Sequence, residues 1–238
     1  MDRFTRSRIL FKEKFEVLQN LRVLVCGCGG VGGACADALF RSGVVNLTLI
    51  DADKFDVTNQ NRQIGSEFVG EEKSEVLARI FDNKPTAKVL RLDATSIAQL
   101  DFCEFDFVVD AIDDIEAKIL LATSFAKSGA KGVFVASMGA ARRLDAQQIR
   151  LLSVWKTQND PFARKYRTGL RKAGFKGDFK VVCSLEAPLA CEGLGSFKAV
   201  TAAFGLNIAS FVVQTALTKE WIELQKSNLK GANADDKI

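Results

Sequence analysis

Apolar residues along the chain gather into short runs separated by amphipathic stretches, and this alternation sets the first reading of the fold. Residues 22–26 (RVLVC) form a short, mostly apolar run, the pattern of a strand buried in a parallel sheet. A glycine cluster follows, then ACADALFRSG, read as a helix closed by Gly43, then a second strand in NLTLID. Strand, glycine turn, helix and strand in this order make a βαβ unit. The alternation continues with a helix in EEKSEVLARIFDN, a strand in AKVLRLD, and a strand in FDFVVDAIDD that runs into three aspartates. EAKILLATSFAKSG then predicts a helix and KGVFVAS a strand. To about Ser137 the pattern therefore predicts an α/β fold with a doubly wound, mostly parallel sheet and a glycine-rich nucleotide-binding loop. Ahead of it, residues 6–20 predict one amphipathic helix, with Ile9, Leu10, Phe15 and Leu18 at helical spacing.

After Met138 the pattern loosens. RRLDAQQIRLLSV suits a hairpin or an added antiparallel strand. A basic helix is expected to start near Asp160-Pro161, since proline is favoured in a first helical turn. Residues 199–217 carry no charge over nineteen positions, long enough for a membrane span. Thr201, Asn207, Ser210, Gln214 and Thr215 interrupt the run, so a buried or interface helix is expected and membrane association is not. The expected organisation is a nucleotide-binding core over 1–137, a smaller basic substrate-facing region with C-terminal helices over 138–228, and a disordered tail over 229–238.

Composition narrows the chemistry. The chain has 238 residues, 47% hydrophobic and 26% charged, enough to bury a core without disulfides or metal. Its six cysteines form no C-x-x-C pair and the chain opens with the charged MDRFTRSR, so free thiols in a reducing, cytoplasmic setting are expected. With no histidine at all, imidazole bases and histidine triads are excluded, and a structural zinc site is not expected. Net charge is +4, but residues 142–180 alone hold eleven Lys or Arg against three Asp. That segment is either a solvated face or a patch for a polyanion such as nucleic acid.

Gly27-Cys28-Gly29-Gly30-Val31-Gly32 lies directly after a predicted strand and opens a predicted helix. Glycines allow a tight turn and close approach of backbone to phosphates, and the helix N-terminus favours a pyrophosphate. Asp51 ends the next strand, where a carboxylate can accept from ribose hydroxyls. These features do not separate NAD from ATP. The separation comes from Asn59, Arg62 and Lys73 after the second strand and Asp113 after the fourth. Arg and Lys can neutralise charge that grows on phosphate oxygens, and Asp can hold magnesium. A carboxylate attacking an α-phosphate is already an anion and needs no general base, so a chain without histidine can perform adenylation. Taken singly, each residue has a plainer role: Arg62 or Lys73 on the surface, Asp113 or Asp114 as a helix cap.

VCGCGGVGG, LIDADKFDVTNQNRQ, the EEKSEV helix and VVDAIDD together resemble the ubiquitin-activating-like adenylating enzymes, which include activators of sulfur-carrier proteins. The resemblance implies ATP and Mg2+ as cofactors. It implies nucleotide contacts at Gly27, Gly29, Gly30, Gly32, Asp51, Asp53, Asn59, Arg62 and Lys73, a magnesium-linked Asp113, and an Arg donated across a homodimer interface, for which Arg6 fits best and Arg8 second. Sulfur-carrier activators typically hold two C-x-x-C zinc pairs, which are missing here. WKTQNDPFARKYRTGLRK and VVCSLEAPLA instead resemble the tRNA threonylcarbamoyladenosine dehydratase branch. That branch implies ATP-dependent cyclisation of the modified adenosine, tRNA as partner through Arg164, Lys165, Arg167, Arg171 and Lys172, and room for a sulfur-relay protein. Phe162 and Tyr166 are candidates for stacking on a base, with core packing favoured for Phe162. Cys183, in the apolar run KVVCSL, reads as a packed thiol rather than a thioester or persulfide carrier. Rival readings are an activator of a ubiquitin-like protein, an NAD-dependent oxidoreductase and a non-catalytic nucleotide- or tRNA-binding module.

Overall fold

In the computed structural model, which describes residues 1–218 and residue 223, the RVLVC run is strand β1 (Arg22–Cys26) in a seven-stranded sheet. β2 (Asn46–Asp51) and β3 (Thr86–Val89) extend from one side of it and β4 (Phe107–Asp110) and β5 (Val133–Ser137) from the other, all parallel. β6 (Ile149–Ser153) is an edge strand, antiparallel to β7 (Lys180–Ser184), which pairs parallel with β5. Of the two readings of RRLDAQQIRLLSV, the added antiparallel strand is the one formed. The strand order β3-β2-β1-β4-β5-β7-β6 reverses direction between β1 and β4. Open α/β sheets form a crevice at such a switch point, beyond the C-terminal ends of the strands.

Successive side chains of β1 point to opposite faces, and each face has its own core. Val23 and Val25 pack beneath helices α3 (Gly30–Ser42) and α8 (Lys198–Ala216), with Leu39, Phe204 and Ile208. Leu24 and Cys26 pack on the other face, which is covered by α5 (Ala94–Ala98), α6 (Ile115–Lys127) and α7 (Pro161–Lys172) through Ile97, Leu121, Tyr166 and Leu170. Among the described residues, α8 is the one helix long and apolar enough to cross a bilayer, but Val200, Phe204, Ile208, Val212 and Ala216 are buried in the core. It crosses α3 so closely that a Cβ on Gly205 would overlap the Val31 carbonyl oxygen and stand 2.7 Å from Cys35 N.

The N-terminal expectation needs correction. The single helix over residues 6–20 is two helices, α1 (Thr5–Phe11) and α2 (Phe15–Asn20), broken by a tight turn with Lys12 at φ +50°. Phe15 and Leu18 are buried, but Ile9 and Leu10 are 71% and 72% exposed. The break rotates the first turn away from the core. The tail expected to be disordered, 229–238, lies outside the described residues.

Candidate active site

A cleft of about 610 Å³ opens at the switch point. Its floor is the glycine turn between β1 and α3. Gly27 has φ +91°, and a Cβ there would stand 2.7 Å from the Ala111 carbonyl oxygen. Only glycine satisfies both constraints. Gly32 lets α3 pack onto the turn, since a Cβ would overlap Gly27 O. Gly29 is the N-cap of α3 and offers no side chain to its first-turn amides. Those amides therefore face the cleft as an anion site, with the positive end of the helix dipole behind them.

Asp51, at the end of β2, braces this turn. Its Oδ2 accepts from Cys28 N at 2.6 Å and its Oδ1 from Asp53 N at 2.8 Å. Burial raises its carboxyl above the ordinary carboxylate range, opposed by these amides and by Lys73. Lys73 opens helix α4 (Lys73–Ile80) and is buried, with Nζ 2.9 Å from Asp53 Oδ2. Arg62 lines the cleft, and its Nη1 donates to Thr58 O and Asn61 Oδ1, both at 2.9 Å. Asn59 stands behind the wall. Its Oδ1 accepts from Asp56 N at 3.1 Å, and its carbonyl accepts from Arg62 N and Gln63 N. It thus shapes the turn that presents Arg62 rather than lining the cleft.

The three aspartates after β4 separate into three roles. Asp110 is fully buried and paired with Lys118 Nζ at 2.8 Å, also fully buried. Asp114 caps α6, accepting from Glu116 N at 2.8 Å and Ala117 N at 3.1 Å. Asp113 is exposed and lines the cleft.

The opposite wall comes from residues 137–143 and the start of α7. Asp160 caps α7 through Phe162 N and Ala163 N, and its Oδ2 accepts from Gly139 N at 3.0 Å. Arg143, 1% exposed in its side chain, reaches the same Oδ2 at 3.4 Å. Its Nη1 is buried without a hydrogen-bond partner among the described residues. Cys183 lies 3.7 Å from Asp160, and burial together with that carboxylate pushes its thiol up to about 12. Such a thiol is protonated at neutral pH, which fits a packed residue.

Along α7 the side chains separate by helical phase. Ala163, Tyr166 and Leu170 form the buried stripe. Tyr166 is therefore unable to stack on a base, which corrects that expectation. Phe162, favoured for the core, instead lines the cleft with Lys165. Arg164, Lys165, Arg171 and Lys172 are exposed. Arg167 is half-buried, its Nη1 held by the Thr157 carbonyl at 3.0 Å and by the Thr157 hydroxyl, which ties it more firmly to its own chain than its exposed neighbours. Arg6 lies on α1, exposed, and is not among the residues lining the cleft of its own chain.

The ThiF family model matches residues 2–231. The chain belongs to the ThiF family. Within it, the tRNA threonylcarbamoyladenosine dehydratase of Bacillus subtilis is 38% identical over 197 residues, covering 79% of this chain and 77% of that protein. The Haemophilus influenzae protein of the same name is 30% identical over 243 residues, covering 90% and 92%. The solved Escherichia coli tRNA N6-threonylcarbamoyladenosine dehydratase in complex with AMP superposes with a TM-score of 0.85 at 31% identity, over 92% of this chain and 95% of that one. Its complex with ATP superposes equally well, at 33% identity.

Two buried pairs of this ThiF-family chain, Asp110–Lys118 and Arg143–Asp160, were not read from sequence. The first spans one turn of loop and helix and left a weak signal, a lysine among the apolar positions of EAKILLA. The second joins residues 17 positions apart across a strand and left none.

Proposed function

We infer that this chain is an ATP-dependent tRNA threonylcarbamoyladenosine dehydratase. The observation that carries this reading is one cleft with two unlike walls. A glycine cradle with Arg62, Lys73 and Asp113 shares the cleft with Phe162 and Lys165, from the first turns of a helix with an exposed basic face.

ATP is the first substrate. The α3 amides and Lys73 take its phosphates, and Arg62 lies beside the glycine turn, its Cγ 3.4 Å from a Cβ built on Gly30. Asp51 lies within the cleft for the ribose. The threonyl carboxylate attacks the α-phosphorus, the α–β bridging bond breaks, and pyrophosphate leaves. Arg62 and Lys73 are fixed cations, so they stabilise the charge that builds on the phosphates without reorganising. Ring closure by an internal nucleophile of the threonylcarbamoyl group then expels AMP. In sum, ATP and the open nucleoside give AMP, pyrophosphate and a cyclic nucleoside lacking one water.

Magnesium, when bound, supplies further neutralisation of the phosphates, and Asp113 fits as its protein ligand. The described residues hold no cluster of three acidic or cysteine side chains that could cage a metal alone, so the ion would share phosphate oxygens, as magnesium usually does.

The remaining assignments rest on the same reading. Residues 1–137 serve the nucleotide, and the later region presents tRNA contacts at Arg164, Lys165, Arg171 and Lys172. A homodimer would cover Ile9 and Leu10 and carry Arg6 to a partner's cleft. A cytoplasmic setting accords with the free thiols, and a sulfur-relay protein as a further partner is what the resemblance allows.

The test mixes purified protein with ATP, magnesium and tRNA carrying threonylcarbamoyladenosine, followed by nucleoside mass analysis. Loss of one water from that nucleoside, with AMP formed in equal amount, is expected. ATP binding with an unchanged nucleoside would defeat the tRNA reading, and binding of NAD in place of ATP would favour an oxidoreductase.

A further inference from the structure

A second cavity, of about 450 Å³, lies at the opposite end of the strands from the active-site cleft. Gly132 and Val133 border it at the start of β5, and Phe179 and Lys180 at the start of β7. Its size falls within the range of small-ligand sites. Its walls are aromatic. Phe125, Phe134, Phe179 and Phe175 line it and follow one another at ring-centroid distances of 5.4, 4.9 and 5.6 Å. Trp155 continues the series 6.3 Å from Phe175, with the Arg171 guanidinium 5.0 Å above its ring. Phe125, Phe175 and Phe179 remain partly open to solvent.

The rim is cationic. Lys180 lines the cavity, and Lys127, Lys131 and Lys176 are exposed within one residue of lining positions. The carboxylate on this lining, Asp178, already accepts from Ser153 Oγ at 2.7 Å. Aromatic walls inside a ring of lysines match the two parts of a single-stranded nucleotide, a π-face and a phosphate. An apolar peptide or lipid tail would make no use of the lysines.

Helix α7 joins the two sites. Phe162 and Lys165 line the cleft, and Phe175, just past its C-terminus, lines the cavity. Twelve residues span about 18 Å, a length of about five stacked nucleotides at 3.4 Å each. Arg164, Lys165, Arg171 and Lys172 lie exposed along the way.

We propose that this aromatic cavity binds one unpaired base of the tRNA, several nucleotides from the reacting adenosine. The proposal rests on tRNA being the substrate. The cavity would fix which part of the RNA strand follows α7, and so which adenosine reaches the cleft.

The test uses the full chain and tRNA carrying threonylcarbamoyladenosine. Ultraviolet irradiation of the complex, digestion and mass mapping should find a nucleotide attached within residues 172–180. Lys176→Glu with Lys180→Glu, which alters only exposed positions, should raise KM for tRNA about tenfold. It should also flatten the salt dependence of tRNA binding, by about 0.7 log unit per lost contact. ATP affinity and Tm should not move. Phe175→Ala should likewise raise KM, about tenfold, a size typical of losing one base stack. If Phe175→Ala folds poorly, the charge reversal and the crosslink still decide. Normal KM in the lysine variant together with crosslinks confined to the cleft would overturn the cavity proposal while leaving the dehydratase intact. A wild-type protein that dehydrates no tRNA would remove both.

Discussion

Replacing Lys118 with methionine should expose how the wall beneath the cleft is held. Lys118 and Asp110 are both fully buried, 2.8 Å apart. Lys118 also lies 5.6 Å from the Tyr166 ring centroid and 5.9 Å from that of Phe162, so one cation ties β4, α6 and α7 together. Methionine preserves most of the volume and removes the charge. Asp110 would keep only the Ile112 amide at 3.2 Å, and its Oδ2 already lacks a hydrogen-bond partner. Breaking a buried pair by removing one member typically costs about 3–5 kcal/mol. For a chain of this size that corresponds to a fall in Tm of roughly 10 °C. The loss should also depend on pH. Burial holds the Asp110 carboxyl above its ordinary range, and Lys118 opposes that rise. A raised folded pKa means that the native state takes up the proton first. Its contribution is therefore full below the unfolded value of about 3.9 and is lost as pH rises through the folded value. Without Lys118 the rise grows, so the variant should lose most at pH 8 and least near pH 5. Urea unfolding at both pH values measures this, and Asp110→Asn added to Lys118→Met should recover most of the loss. A penalty below about 1 kcal/mol, or one equal at the two pH values, would refute the role of Lys118 as the buried charge that compensates Asp110.

Other outcomes follow from the geometry already described. Arg62→Ala and Asp113→Ala should each cut turnover about 10²–10³-fold, the usual effect of losing one charge-stabilising group, with Tm within a degree or two of wild type. Gly205→Ala should destabilise the fold by about 1–3 kcal/mol, because its Cβ has no space against Val31 O and Cys35 N; calorimetry with an unchanged Tm would argue against that close crossing. Under native conditions iodoacetamide should alkylate the exposed Cys103 and Cys191 and spare Cys183. At a pKa of about 12, only about one Cys183 thiol in 10⁴ is ionised at pH 8. Peptide mapping that found Cys183 modified as quickly as Cys191 would contradict its packed setting.

The strands, the glycine loop and the basic helix were legible because each leaves a local pattern. β1 alternates its faces within five residues, and Asp160-Pro161 marks the start of α7 in the sequence itself. The stripe Ala163, Tyr166, Leu170 is also present at helical spacing, and its phase puts Tyr166 inside and Phe162 out. Other features depend on contacts that no local pattern records. Three aspartates within five residues look alike, and only the position of Lys118 and the start of α6 leave Asp113 free. Ile9 and Leu10 have the spacing of a core face, but the turn at Lys12 aims them outward. Arg167 looks like any other basic residue of its helix until Thr157 is found beside it.

Helix α8 has a consequence for the order in which the protein is made. It is the last described element of the chain, yet it packs against α3, which begins at Gly30, and its Thr201 side chain lies against Gly30 in the nucleotide loop, 3.2 Å from a Cβ built there. A chain still being synthesised makes its glycine turn early but has no support for α3 until α8 is free to fold onto it. Domains with such distant closing contacts form late. The newborn chain therefore completes its nucleotide site only once α8 has emerged, after the basic helix α7 is already out.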